Sequence, residues 1–201
     1  MKFFIIKNKE MPWGDYGDVL FTGLLNVMDK DFNNLEYPEL ERTGPYIPEI
    51  YIANSRNIVV TNVVRQLIKQ NNINGIIEFR HVIKKKIVNI DWGSWNKTED
   101  PLFLPKSNEP EGYILEGKND IELLNSMPDV WELKVVKKYN LTKVSDRVDM
   151  DGYSHLTLDI RPEFDIFAPQ NVLVIIVSER LKNLFEANNI DTLRYIELKQ
   201  L

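Results

Sequence analysis

Cysteine is absent from this 201-residue chain, which removes disulfides, thiolate metal sites and cysteine nucleophiles together. Histidine is nearly absent, His81 and His155 being the only two. His81 falls in an apolar run that reads as strand, where a hydrogen-bonded structural histidine is the plainer reading. His155 lies close to Asp151 and Asp159, a conceivable base–carboxylate pair, but no nucleophile or metal triad is legible around it. Glycine-rich phosphate loops are lacking, since Gly14-x-x-Gly17 is too little to cradle a phosphate. No segment approaches the roughly 20 apolar residues that a membrane helix needs. At the N-terminus the apolar run Phe3–Ile6 ends at Lys7. That is too short for an export-signal core, so the expectation is a first strand in a cytoplasmic protein.

The acidic loop Asp146-Arg147-Val148-Asp149-Met150-Asp151-Gly152 suggests calcium at first sight. An EF-hand loop needs carboxylate or amide oxygens at positions 1, 3 and 5, glycine at 6 and a bidentate glutamate at 12. With Asp149 and Asp151 as positions 3 and 5, Arg147 takes position 1 and Leu158 position 12. The motif fails, a turn is the better reading, and no metal or cofactor is expected.

The apolar fraction of 43 % and the charged fraction of 27 % are those of a soluble globular protein, and the length suits one domain. The net charge is −5, with the acid concentrated in residues 1–60 and 141–201. Such a balance disfavours nucleic acid or an anionic membrane as partner and suits a basic one, although mild acidity also simply aids solubility.

One stretch occurs twice. Ile58–Phe79 reads IVVTNVVRQLIKQNNINGIIEF and Ile175–Ile196 reads IIVSERLKNLFEANNIDTLRYI, aligned without a gap. Each copy has a β-branched run, a hydroxyl residue (Thr61, Ser178), a helical apolar pattern, Asn-Asn-Ile and a further apolar run. Repeated sequence implies a repeated supersecondary element, here strand–helix–strand modules over 58–83 and 172–199. Thr61 is placed to cap the first helix, and Asn71-Asn72 to stop it, because asparagine tolerates the left-handed backbone of a helix end.

Elsewhere the pattern is less regular. Residues 1–57 beyond the first strand carry Pro38, Pro45 and Pro48 among acidic residues, and read as an irregular N-terminal lobe. Its aromatic residues argue for packed loop over disorder. Ile76–Val82 and Lys86–Ile90 read as strands flanking the Lys84–Lys86 cluster, itself a solvated hairpin tip or a guarded edge. Tyr113–Leu115 reads as a short strand, Asp120–Ser126 as a helix, and Trp131–Tyr139 and His155–Ile160 as strands. The expected fold is an α+β domain with a mixed sheet, in which each module makes a parallel crossover.

Tryptophan and Glu-Pro segments carry a resemblance. The order Asp91-Trp92-x-x-Trp95, a Pro101/Pro105 stretch, Glu109-Pro110-Glu111 and Met127-Pro128-x-x-Trp131-Glu132 resembles a family of bacterial immunity proteins from polymorphic-toxin systems. The closing Ile176-Val177-Ser178-Glu179-Arg180-Leu181-Lys182, with Asn189-Ile190, is similar to the C-terminal signature of a related immunity family. Where such a family has glycine after the Asn-Ile turn, the first copy keeps Gly75 and the second has Thr192.

The resemblance implies a cytoplasmic protein that binds and neutralises a cognate toxin domain, without catalytic residues or cofactor. On that reading Trp92, Glu109, Pro110, Glu111, Trp131 and Glu132 are structural. Charge alone nominates Asp29, Asp31, Glu36, Glu39, Glu41, Asp149 and Asp151 as contacts for a basic toxin, and Trp95 as an aromatic contact. The alternative is a small-ligand-binding protein or enzyme with a pocket between the two modules, drawing on Tyr153, His155 and Asp159.

Overall fold

The computed structural model describes residues 2–143, 153, 156–158 and 162–200. In chain order the elements are β1 (Phe3–Asn8), α1 (Asp15–Thr22), β2 (Leu24–Met28), β3 (Asn34–Gly44), β4 (Ile50–Ala53), β5 (Asn57–Thr61), α2 (Asn62–Gln70), β6 (Ile76–His81) and β7 (Ile83–Asn89). After a 3-10 turn at Trp92–Ser94 come α3 (Gly112–Leu115), α4 (Ile121–Ser126), β8 (Val130–Val135), β9 (Thr142–Lys143), β10 (Leu156–Leu158), β11 (Ile166–Phe167), β12 (Ile175–Ser178), α5 (Glu179–Ala187) and β13 (Leu193–Gln200). The fold is α+β with mixed sheets. Among the described residues, no helix is long and apolar enough to cross a membrane.

Three sheets have the orders β11-β12-β1-β13-β10-β9, β2-β3-β7 and β4-β5-β8-β6. Strands β12 and β13 both run antiparallel to β1, so they are parallel to each other with β1 between them. Strands β5 and β6 stand in the same relation about β8. Each crossover therefore skips one place in its sheet, and an antiparallel strand from elsewhere in the chain fills the gap.

The alternation of side chains along a strand distributes these sheets among three cores. Phe4 and Ile6 of β1, Ile58 and Val60 of β5, and Ile175 and Val177 of β12 share one core with Val64 and Ile68 of α2 and Leu181 and Phe185 of α5. Both repeated helices thus press their apolar faces into the core shared by the six-stranded and four-stranded sheets. The opposite faces close the other two: Phe3, Ile5 and Ile176 in one, Tyr51 and Val59 in the other. Truncating a fully buried side chain such as Phe185 costs about 3–5 kcal/mol by this packing.

The two helices end alike. Asn72 and Asn189 adopt φ of 49° and 56°, the left-handed stop that asparagine tolerates. They begin differently. Ser178 Oγ accepts the Leu181 N–H at 3.2 Å, whereas Thr61 occupies the cap position with no side-chain hydrogen bond and a buried, unpartnered hydroxyl. Thr61 is therefore a cap by backbone geometry alone, not by the hydroxyl its sequence position suggested.

The two halves also seal one another's edges. Asn8 acts as a one-residue strand beside β4, its Nδ2 donating to Ile52 O at 2.8 Å and its Oδ1 accepting Ile52 N–H at 2.7 Å. Thr192 Oγ1 donates to Ile50 O at 2.6 Å on the same edge. At the opposite end the Asn74 backbone carbonyl accepts the Ile166 N–H on the edge strand β11. At the β4 edge, the Asn8 and Thr192 side chains do what a further strand would otherwise do.

The N-terminal region is far more regular than its prolines suggested. An eight-residue helix, α1, precedes β2, and β3 runs for eleven residues through Pro38. Pro38 is tolerated because it lies at the register shift of the β2–β3 ladder and just before the β3–β7 ladder begins at Glu39. Segment 113–115 also differs from its reading: it is helical, in α3, not a strand. The Lys84–Lys86 cluster lies along β7, at the edge of its sheet.

Candidate partner-docking face

Five aromatic rings meet where the core that holds Leu40, Tyr51 and Val59 reaches the surface, with Tyr113 buried and Phe103 exposed. Trp95 follows the 3-10 turn and lies 5.5 Å from Trp13, 5.2 Å from Phe103 and 6.2 Å from Tyr113, centroid to centroid. Tyr16 of α1 joins through Tyr113 at 6.0 Å. All these pairs are edge-to-face, the arrangement favoured by ring quadrupoles.

The polar tips of Trp13, Tyr16 and Tyr113 are taken by backbone carbonyls. Trp13 Nε1 donates to Glu99 O at 2.8 Å, Tyr16 hydroxyl to Asn108 O at 2.7 Å and Tyr113 hydroxyl to Phe103 O at 2.7 Å. Three loop carbonyls are thereby pinned to the cluster. Trp13 itself is held at φ 73°, a conformation costly for a bulky side chain, and this backbone presents its indole to Trp95. Burial, then the neighbouring Tyr16, pushes the Tyr113 hydroxyl up to about 12.

The segment 101–117 is folded tightly beneath. Glu116 accepts the backbone N–H groups of Lys106 and Ser107 at 2.9 Å each, and the Ser107 contacts hold its carboxyl below the usual range. Gly112 has no room for a side chain, since a Cβ there would lie 2.4 Å from Ser107 Oγ and 2.5 Å from Pro105 Cβ. A rigid loop thus presents Leu102, Phe103 and Leu104 to solvent at 74 %, 49 % and 51 % exposure, with Leu115 at 62 % close by in α3. Val88, Ile90, Phe103, Leu104 and Tyr113 line a groove of about 600 Å³ here. Residues 96–118 carry five acidic and three basic side chains, so the rim is mildly negative.

Of the residues nominated by sequence, Trp95 is central to this face. Trp92 is buried beneath it, donating from Nε1 to Thr43 Oγ1 at 3.1 Å and stacking edge-on against Tyr46. Glu109, Pro110 and Glu111 form the turn that starts α3, with Glu109 O accepting Gly112 N–H at 2.9 Å. Trp131 and Glu132 lie elsewhere, on opposite faces of β8. Trp131 is stacked 4.5 Å from the Arg65 guanidinium, and Glu132 is wholly buried against Arg80.

The described acidic nominees lie along the β2–β3 hairpin. Asp29 organises the β2–β3 turn, its Oδ1 accepting Asp31 and Asn33 N–H groups, and Asp31 is exposed beside it. Glu39 and Glu41 lie on β3, with Glu39 paired to Lys85 at 2.6 Å, while Glu36 is exposed and lies in the stretch where the register shifts. Asp149, Asp151, His155 and Asp159 lie outside the described residues. His81 ends β6, exposed, 3.9 Å from Asp129. Leu102, Phe103 and Leu104 were not singled out by sequence reading. The available signal was a three-residue apolar run between Pro101 and Pro105, too short and too confined to be a core strand.

No protein-family model matches the chain, and no curated protein matches it.

Proposed function

We propose that this chain is an immunity protein, which binds a cognate bacterial toxin domain in the cytoplasm and neutralises it by covering its active centre. Such an inhibitor needs a rigid surface, a few large apolar anchors and complementary charge, and no turnover of its own. The face around Trp95 supplies these features. Its single most telling feature is the solvent-exposed Leu102-Phe103-Leu104 run, held on a loop that three aromatic-to-carbonyl hydrogen bonds fix in place. Preorganisation of this kind lowers the entropy lost on association. The resemblance of the tryptophan and Glu-Pro segments to immunity families supports the same reading, and Trp95 belongs to both.

The test is co-expression with the toxin domain encoded beside this gene. Restored growth and a stoichiometric complex on gel filtration are the expected results. A neighbouring toxin that kills equally well with and without this chain, and does not co-elute with it, sinks the proposal.

A further inference from the structure

Strand β1 belongs by sequence to the N-terminal region and by pairing to the C-terminal one. The other described strands of its six-stranded sheet, β9 to β13, fall between Thr142 and Gln200, while the two smaller sheets draw on residues 24–135. Among the described strands, β1 alone crosses over. It lies between β12 and β13, with Phe3–Ile6 opposite Ile175–Ser178 on one side and Phe3–Asn8 opposite Leu193–Leu198 on the other. Without it, β12 and β13 would face each other across an unpaired gap one strand wide. Phe3, Phe4, Ile5 and Ile6 are at most 7 % exposed and supply both cores of the sheet. The C-terminal sheet is thus a slot that these six residues fill.

The connection that leads out of the slot is short. Lys9 N–H still bonds Thr192 O at 3.0 Å, and Lys9 and Glu10 pair with Asp191 and Arg194 beside β13. By Pro12 the chain is already against α1, where a Cβ on Gly17 would lie 1.8 Å from Pro12 O. Almost no slack remains between Glu10 and Pro12. The turn into α1 then takes Trp13 to φ 73° and Gly14 to φ 56°, the first a strained conformation for a bulky side chain. Both ion pairs along the connection are exposed and hold it weakly.

We infer that β1 exchanges between two copies of this chain, each copy's β1 filling the slot between β12 and β13 of the other. Every register pair and core contact of β1 recurs in such a dimer, because the same residues meet, and only the connection over residues 9–12 changes course. Closure within one chain wins while the effective concentration of β1 at its own slot exceeds that of other copies. For a short flexible connection that concentration is on the order of 1 mM, and a taut, strained one lowers it. The exchange does not rest on the immunity reading, since it concerns strand pairing whatever binds the face around Trp95.

The chain has no cysteine, so a disulfide placed across the β1–β13 pair Lys7↔Arg194 reports the exchange. In the double variant Lys7→Cys/Arg194→Cys that bond closes within one chain in the monomer and joins two chains in the exchanged dimer. Refolding from urea at about 1 mM is expected to give a dimer on gel filtration, and refolding at about 10 µM a monomer. Oxidised only after the peaks are separated, the dimer should survive a non-reducing denaturing gel. Deletion of Glu10 tightens the connection and should raise the dimer share severalfold, whereas Gly-Ser-Gly inserted after Glu10 should abolish it. The inference is overturned if the bond stays within one chain at both concentrations, or if the deletion variant folds and remains monomeric. Where the deletion variant does not fold, the disulfide in the full-length connection decides.

Discussion

Asp165 and Arg180 form an ion pair at 2.6 Å in which the acid is buried and the base is half exposed. The same carboxylate accepts the Ser178 hydroxyl at 2.7 Å, and Arg180 also donates to Asn71 O at the end of the first repeated helix. One buried acid therefore ties the start of the second helix to the end of the first. Removing it strands the buried Ser178 hydroxyl and unpairs Arg180, whereas removing Arg180 leaves the carboxylate its Ser178 and Asn74 donors and opens one side to water. Asp165→Ala is expected to cost about 3 kcal/mol and Arg180→Ala about 1 kcal/mol or less, read from urea midpoints at constant slope. Equal losses would mean that the acid is not the anchor.

The turns that follow the two helices differ for a reason that substitution can expose. Gly75 has φ 95°, and a Cβ there would lie 1.9 Å from Ile166 O. Gly75→Ala is expected to destabilise by at least about 2 kcal/mol, from strain and from displacement of β11. Its counterpart Thr192 has a different task, bonding Ile50 O. Thr192→Val keeps the shape, loses that bond and costs about 1 kcal/mol. A Gly75→Ala protein as stable as the parent would show that the backbone at β11 yields freely.

Local signals were legible in the sequence and distant partners were not. The 22-residue repeat carries its own apolar faces and stop residues, down to the left-handed Asn72 and Asn189, but of its two hydroxyl residues only Ser178 caps a helix through its side chain. Its sheet neighbours are not legible: β1 and β8, which part the repeated strands, come from remote chain. Tyr113–Leu115 was read as strand because three apolar residues in a row fit either period. Strand β3 was missed because Pro38 reads as a breaker, and only the ladder register shows that its missing N–H is not needed. Nor does sequence foresee Arg42, wholly buried with its guanidinium on the carbonyls of Phe21, Thr43 and Tyr46. At the docking face, Trp95 stands out as a residue type, while Leu102 and Leu104 are marked only by their exposure in the fold.

Tyr113 makes the alkaline limb of stability a test of the aromatic cluster. Its folded pKa is raised from 10.0 to about 12, chiefly by burial. A raised acid favours its neutral form in the folded state, so this contribution is complete below the unfolded pKa near 10 and is lost as pH rises towards 12. Stability should therefore fall across that interval, and absorbance at 295 nm should show several tyrosines ionising late, since burial also raises Tyr46, Tyr51 and Tyr195. Tyr113→Phe lowers the amplitude of that late phase by one tyrosine, and also removes the bond to Phe103 O. If the late-ionising fraction is the same in this variant, the hydroxyl is not buried as described.

The docking face yields the sharpest separation between stability and binding. Leu102 and Leu104 are exposed and make none of the hydrogen bonds that fix their loop, so Leu102→Asp and Leu104→Asp should change folding stability by about 0.5 kcal/mol or less. If the toxin docks here, each buries a charge against an apolar anchor site and should weaken the complex by about 2 kcal/mol or more, some thirtyfold. Trp95→Ala should weaken both, because the ring also supports Trp13 and Phe103. Reversing Asp29 and Asp31 should alter the salt dependence of association, the Asp29 change also loosening the turn whose N–H groups it accepts. Surface plasmon resonance against the neighbouring toxin domain, alongside denaturation of each variant, distinguishes the outcomes. Unchanged affinity in both leucine variants, with binding lost on reversing Asp29 and Asp31, would move the contact to the acidic hairpin and remove the aromatic face from the proposal.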